Sequence, residues 1–409
     1  MISVSEATKI LQQSMPESGI EVISITEALG RVLAEQILAP LDSPQFDNSA
    51  MDGFAVKWDD IRPVLSGTPI TLKLLGESRA GIPASEALKP GCAIRINTGG
   101  MMPAGADSVV PVEETVEEGD TVKILQVKKE GQHVRKQGEE FRKGDVLLEE
   151  GTPLEAPQLA LLAHVGLGQI KVYAKPKISL IITGSELVAV GDEKAPYQIH
   201  DSNSHMLAAL VKRAGGEVLT SGRVEDNLDA TIAAIRKAET NSDMIIFSGG
   251  VSMGPHDHVK NAAAAADYET LFWKVKQKPG KPLFAAKKEG KLLVGLPGNP
   301  VSAFMGFVYY LYPLIRQMGR KKFNWLPVHM KLKDCFKNKS TRVQFVRVRL
   351  VKNDNGEPVV EKIQHQGSHM ITSIAHSDGF LILKPEEVME QGEIQPIYLY
   401  PWRTNNGIY

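Results

Sequence analysis

Cysteine is scarce: the 409-residue chain has two, Cys92 and Cys335. They cannot form a disulfide framework, and no CxxC pair exists to hold zinc, which fits a reducing compartment. Excess charge of either sign is also missing. Lys and Arg number 47 against 48 Asp and Glu, a net −1, so no global field is available to hold a nucleic-acid backbone or an anionic membrane. No internal repeat or low-complexity tract is visible, and the start of the chain lacks the basic-then-apolar pattern of a leader. The charge-free stretch Leu292 to Ile315 is long enough on paper for a membrane span. Pro297-Gly298-Asn299-Pro300 breaks it, so it reads as buried strand, tight loop and buried helix. A cytoplasmic protein without membrane segments is expected.

The composition is otherwise globular, with 43% apolar and 23% charged residues. The length predicts two to four domains at about 150 residues each. Residues 1 to about 40 read as helix, strand and short helix, with Ser3-Val4-Ser5-Glu6 resembling a capping box. From about 41 to 140, short β-like runs such as Ala93–Ile96 and Thr121–Val127 alternate with turn formers, which predicts a β-rich unit. Residues 155–165 read as a helix stopped by Gly166. From about 176 to 326 strands and helices alternate: Ile178–Ile182, Glu217–Thr220, Met244–Phe247 and Leu292–Gly295 are strands, and helices follow Ser202 or Asn203, Asn227, Asp257 and Pro300. That alternation predicts a doubly wound α/β domain. Beyond 327 the chain is β-like again. Val343 and Phe345 share a face while Val346, Val348 and Leu350 take the other, so either both faces are buried or a bulge resets the register.

Three α/β strands end in unusual loops: Thr183-Gly184-Ser185-Glu186, Ser248-Gly249-Gly250-Val251-Ser252-Met253-Gly254 through Asp257, and Gly295 to Pro300. In open α/β sheets ligands bind outside the carboxyl ends of strands. Glycines there expose backbone N–H groups, and Asn299 followed by Pro300 suits a helix start that favours phosphate. One such loop is equally a tight turn; three on one sheet edge point to a site. Glu186, Asp226 and Asp257 add carboxylates of the kind that hold Mg²⁺ beside phosphates, with helix capping the alternative for Asp226. Lys274, Lys276 and Lys278 alternate, so they share one face if the strand continues that far, and Lys281 follows a Pro-Gly turn; this cluster reads as an anion site or a solvated edge. His256 and His258 are too close in a loop to argue for a metal.

Taken together, Ser49-Ala-Met-Asp-Gly53, Ile96-Asn-Thr-Gly99, Thr183-Gly-Ser-Glu-Leu187, Ser248 to Gly254 with Asp257, Lys278-Pro-Gly-Lys-Pro282 and Leu296-Pro-Gly-Asn-Pro-Val-Ser302 resemble, in order, the molybdopterin molybdenumtransferase (MoeA) family, which includes the gephyrin E domain. The resemblance implies a multidomain α/β plus β fold. Its parts would be a discontinuous linking domain from 1–45 and 141–175, a β-rich domain at 46–140, a MogA-like doubly wound domain at 176–326 and a C-terminal β-barrel at 327–409. It also implies a homodimer with each site formed between subunits. The implied reaction is Mg²⁺-dependent insertion of molybdate into adenylyl-molybdopterin with release of AMP.

Residue by residue, the resemblance implies catalytic roles for Asp52, Thr98, Glu186, Asp226, Asp257, Lys274 and Lys278. Gly184, Ser185, Ser248, Gly249, Gly250, Ser252 and Gly254 would bind substrate, as would Lys281, Pro297, Gly298, Asn299 and Pro300. Arg342, Arg347 and Ser368 would close over it. Glu186 and Asp257 would hold the metal, with Glu140 a third candidate, although family members commonly carry Asp where this chain has Glu140. A MogA-like adenylyltransferase and molybdoenzyme chaperones are the implied protein partners. A MogA-type adenylyltransferase and a gephyrin-like scaffold are the competing readings; the extra β-rich domains argue against the first, and the retained acids against the second.

Overall fold

The computed structural model describes residues 1–252 and 258–403. The chain divides into two compact units, one comprising Val22–Lys171 and the other Met1–Glu21 with Val172 onward.

In the first unit a six-stranded mixed sheet runs in the order Ser108–Pro111, Gly53–Val56, Cys92–Ile96, Ile70–Ser78, Thr121–Ile124, Thr115–Glu118. Neighbouring residues in a strand face opposite sides. Phe54 and Val56 enter a core with Trp58, Leu72 and Val110. Ala55, between them, enters a second core with Ile94 and Val109.

The second unit is built on a six-stranded sheet. We label its strands β1 (Lys177–Thr183), β2 (Glu217–Val224), β3 (Met244–Ser248), β4 (Glu269–Trp273), β5 (Phe284–Lys288) and β6 (Lys291–Leu296), and its helices α1 (Asn203–Ala214), α2 (Leu228–Glu239), α3 (Val259–Ala265) and α4 (Pro300–Gly306). The order is β2-β1-β3-β6-β5-β4. The first four strands are parallel, and β5 and β4 finish the sheet antiparallel. Both faces are buried, as the continuous apolar runs require. Ile178, Leu180 and Ile182 of β1, with Met244 and Ile246 of β3, pack against α1 and α4. Ile181, Ile245 and Phe247 point the other way, against α2 and α3. Each such fully buried side chain contributes roughly 1.5–3 kcal/mol. The N-terminal helix Val4–Gln13 adds Val4, Ala7 and Leu11 to the first of these faces. Its capping box is real: Ser3 Oγ accepts the Glu6 N–H at 3.2 Å, and Glu6 accepts the Ser3 N–H at 2.7 Å.

C-terminal to the α/β domain, β7 (Val328–Lys331), β8 (Val343–Lys352), β9 (Pro358–Lys362), β10 (Gly379–Leu383) and β11 (Ile394–Leu399) form a curled antiparallel sheet, β9-β8-β10-β11-β7. Its ends meet at a Leu332–Val360 bridge, closing a small barrel. Strand β8 pairs with β10 without a bulge. Both of its faces are buried: Phe345 joins the α/β core, and Val346 and Val348 fill the barrel.

Strand β4 stops at Trp273, which corrects the shared-face reading of the lysines. Lys274 takes a left-handed φ of 71°, and the next paired strand, Gln277–Lys278, joins β8 instead. The left-handed turn breaks the alternation, so Lys274, Lys276 and Lys278 are not successive residues of one strand face.

Candidate functional site

Parallel strands leave their carboxyl ends on one edge of the sheet. There the loops after β1, β2, β3 and β6 enclose a cavity of about 570 Å³. Gly184, Glu186, Asp226, Ser248, Gly249, Gly250, Ser252, Pro297, Gly298, Asn299 and Pro300, all named from sequence, line it.

Local geometry explains the residue choices. Gly249 has φ +98°, and a Cβ there would sit 2.6 Å from the Thr183 carbonyl oxygen. Only glycine lets the β3 loop lie this close to the β1 loop. Asp226 does not cap α2; Asn227 does, accepting the Ala230 N–H at 2.8 Å. The Asp226 carboxylate instead accepts the Ser185 N–H at 2.9 Å and so ties the β2 loop to the β1 loop. Asn299 holds the first-cap position of α4 but makes no side-chain cap; its amide donates to Ser368 Oγ at 3.3 Å.

Thr183, the first residue of the named β1 loop, lines the cavity too, and sequence reasoning missed Asn203, Asp201 and His369 on its wall. Asn203 is buried and donates to Ser248 Oγ at 2.9 Å and to the Gly298 carbonyl at 2.7 Å, while its Oδ1 is unpaired. Asp201, not Ser202, supplies the side-chain bond at the start of α1, accepting the Ser204 N–H at 3.0 Å. No motif announces these residues, because each role depends on chain segments distant in sequence.

Other expected residues lie elsewhere. The Lys274 ammonium sits over the Trp273 ring, 3.7 Å from its centroid; a cation over an indole face is attracted by the ring quadrupole. Lys278 and Lys281 are exposed and flank a turn braced by buried Gln277, whose amide donates to the Gly280 carbonyl at 3.1 Å. Tyr310 donates its hydroxyl to the same Gln277, and Arg342 donates to its backbone carbonyl at 3.3 Å. Arg347 is fully buried outside the cavity wall and donates to the carbonyls of His365 and Gly367 at 3.4 Å each. Burial lowers its pKa to about 10. Gly254 and Asp257 lie outside the described residues.

Asp52, Thr98 and Glu140 belong to the Val22–Lys171 unit. Gly53 and Ile96 are paired across adjacent strands, which brings the flanking loops together. The exposed Asp52 carboxylate accepts the Thr98 N–H at 2.6 Å. Thr98's backbone and hydroxyl hold its pKa below the ordinary 3.8. The Glu140 carboxylate accepts the Ser43 hydroxyl at 2.8 Å.

The chemistry of the cavity acids suits magnesium. Glu186, Asp226 and Asp201 are hard oxygen donors on its wall, and Mg²⁺ takes few protein carboxylates, completing its shell with substrate phosphate and water. Among the described residues no group of three or more acids, histidines or cysteines forms a self-sufficient metal cage. An open set of acids fits an ion shared with a phosphate substrate better than a structural ion.

A mostly parallel sheet with a glycine-lined, acid-bearing cavity at the carboxyl ends of its strands, in a chain that also carries β-rich domains, defines a multidomain protein with a doubly wound α/β ligand-binding core. Residues 181–317 match a family described as "Probable molybdopterin binding domain". The flanks match the MoeA N-terminal region (domains I and II) over 2–166 and the MoeA C-terminal region (domain IV) over 329–400. The chain belongs to the molybdopterin molybdenumtransferase (MoeA) family. It is 36% identical over 390 residues to the molybdopterin molybdenumtransferase of Haemophilus influenzae, covering 94% of this chain and 95% of that protein. It is 38% identical to the Nostoc protein of the same name, covering 81% and 78%. A crystal structure of the molybdopterin biosynthesis MoeA protein of Pyrococcus horikoshii superposes with a TM-score of 0.84 at 30% identity, over 98% of this chain and 99% of that one.

Proposed function

We propose that the protein inserts molybdenum from molybdate into adenylyl-molybdopterin, with cleavage of the phosphoanhydride and release of AMP, in molybdenum cofactor biosynthesis. One observation carries this reading. Glycine loops from three parallel strands meet in a single cavity with Glu186 and Asp226 on its wall. Glycines there keep side chains out of the cavity and let substrate oxyanions come close to the loop backbone.

Glu186 and Asp226 would hold Mg²⁺, joined by Asp257 in the family pattern; when bound, the ion supplies charge neutralisation at the anhydride. Asp226 also fixes the Ser185 N–H and thereby the Thr183–Glu186 loop. Asn203 holds the β3 and β6 loops at one spacing, so the substrate meets a preformed wall. Lys274, Lys278 and Lys281 would neutralise phosphate and molybdate oxygens, and in the proposed homodimer Asp52 and Thr98 would contribute from the β-rich domain of the other subunit. The reading includes assembly as a homodimer, which sedimentation tests, and a supply of adenylylated pterin from a MogA-like enzyme.

An assay with purified protein tests the reaction. Adenylyl-molybdopterin plus Mg²⁺ should yield AMP in a molybdate-dependent manner without ATP. Consumption of ATP with free molybdopterin, and no AMP from the adenylylated form, would make the protein an adenylyltransferase instead.

A further inference from the structure

We infer that Gln277 is a positioning residue of the anion site. Its buried amide keeps the turn at 278–281 closed, so that the Lys278 and Lys281 ammonium groups form a preset seat for a tetrahedral oxyanion. The inference deepens the reading above and rests on it for molybdate as that oxyanion.

The turn adjoins the cavity: Pro282, the residue after Lys281, lines its wall. It is fixed from three sides. At its base the Val275 N–H donates to the Lys281 carbonyl at 3.0 Å. On the barrel side, Gln277 and Lys278 pair with Val343 and Gln344 of β8, and Arg342 donates to the Gln277 carbonyl. Inside, Gln277 is 1% exposed and its side chain spans the turn. Its Nε2 donates to the Gly280 carbonyl at 3.1 Å, and its Oε1 accepts the Tyr310 hydroxyl. Tyr310 belongs to the helical segment Phe307–Leu311 that continues α4. Burial pushes its hydroxyl pKa up, so it stays a donor. A carbonyl only accepts, so one orientation of the amide satisfies both neighbours. Gly280 has φ +83°, and a Cβ there would lie 3.0 Å from Gln277 Nε2, so the bare glycine lets the amide close beneath it.

The charges on the turn explain the brace. Lys278 and Lys281 are exposed, and neither has an ion-pair partner among the described residues. Like charges on one short turn repel, which favours opening it. An apolar side chain could fill the space of Gln277 without burying an amide, but it would offer the Gly280 carbonyl no donor. A turn held closed before the ligand arrives loses less freedom on binding, which raises affinity. An oxyanion then meets two ammonium groups on a preorganised backbone.

Calorimetric titration with sodium molybdate tests this, with molybdopterin as the reference ligand. Gln277→Leu should weaken molybdate binding about fivefold, the size of one hydrogen bond. Molybdopterin binding should stay within about twofold. The urea midpoint should fall, because the Tyr310 hydroxyl is stranded. Combining Gln277→Leu with Tyr310→Phe removes both partners, so most of the midpoint should return while molybdate binding stays weak. Should Gln277→Leu fail to fold, the double variant carries the same comparison. Wild-type molybdate affinity in Gln277→Leu overturns the inference. Molybdate affinity that returns with the midpoint in the double variant, or an equal loss for both ligands, overturns it too, by making Gln277 merely structural. The titrations need no turnover. If the wild type binds molybdate and the variants bind it weakly, yet no AMP is released, the reaction is wrong and the positioning role stands. If the wild type binds no molybdate, the role is overturned whatever the reaction.

Discussion

Asn203 donates its side-chain amide to the Ser248 hydroxyl at 2.9 Å, joining the start of α1 to the end of β3. The same amide reaches the Gly298 carbonyl at 2.7 Å, so one side chain spaces two of the three glycine loops. Removing it takes a donor from the buried Ser248 hydroxyl and from the Gly298 carbonyl. Asn203→Ala should cost about 1–3 kcal/mol, seen as a lower urea midpoint, and should depress AMP release. An unchanged midpoint would mean the loops hold their spacing without it.

Two glycines separate folding from filling. Gly249→Ala forces a Cβ to 2.6 Å from the Thr183 carbonyl in a left-handed turn. It should lower the thermal midpoint by the equivalent of about 1–3 kcal/mol and abolish activity. Gly298→Ala meets only the Gly249 Cα at an ordinary 3.7 Å. Its stability should stay within about 0.5 kcal/mol while the KM for the pterin rises, because the added methyl narrows the cavity alone.

The loops of this site were legible because their causes are local. Apolar runs at Ile178, Met244 and Leu292 announce parallel strands, and glycines directly after them announce turns at the strand ends. What escaped depends on long-range juxtaposition. Asn203, Ser248 and Gly298 are 45 and 95 positions apart where they bond, and His369 reaches the cavity from a different domain. A shared face for the alternating lysines requires the strand to continue through them, and the left-handed Lys274 ends it. Two alternatives left open were resolved by packing. Strand β8 is buried on both faces because two cores meet across it, and Asp226 bonds Ser185 because Asn227 already caps α2.

The cavity acids should separate charge from scaffold. Asp226→Asn keeps an oxygen that can accept the Ser185 N–H but loses the charge. Asp226→Ala loses both. The Asn variant should raise the Mg²⁺ needed for half-maximal AMP release by about tenfold, with stability unchanged. The Ala variant should add a fall in kcat as the Thr183–Glu186 loop loosens. Glu186→Gln, at an exposed position, should alter only the Mg²⁺ dependence. Equal Mg²⁺ requirements in all four proteins would remove these acids from metal binding.

Acid should weaken the Val22–Lys171 unit in part through Asp52. Its pKa is depressed in the folded state by Thr98, so it favours folding while ionised. That contribution is fully present above the ordinary 3.8 and is lost as pH falls through the lower folded value. Asp52→Asn should therefore show a shallower loss of stability below about pH 4 than the wild type, followed by the fluorescence of Trp58, which is buried in this unit. Parallel acid profiles would show that the Thr98 bond does not favour the carboxylate.

The most direct measurement is a crystal structure with adenylyl-molybdopterin and molybdate bound. The account predicts ligand density in the cavity bounded by Gly184, Gly249 and Gly298, with its phosphoanhydride and any Mg²⁺ toward Glu186 and Asp226. Density lodged instead in the groove beside β2, lined by Lys177, Thr220, Arg223 and Lys237, would contradict it.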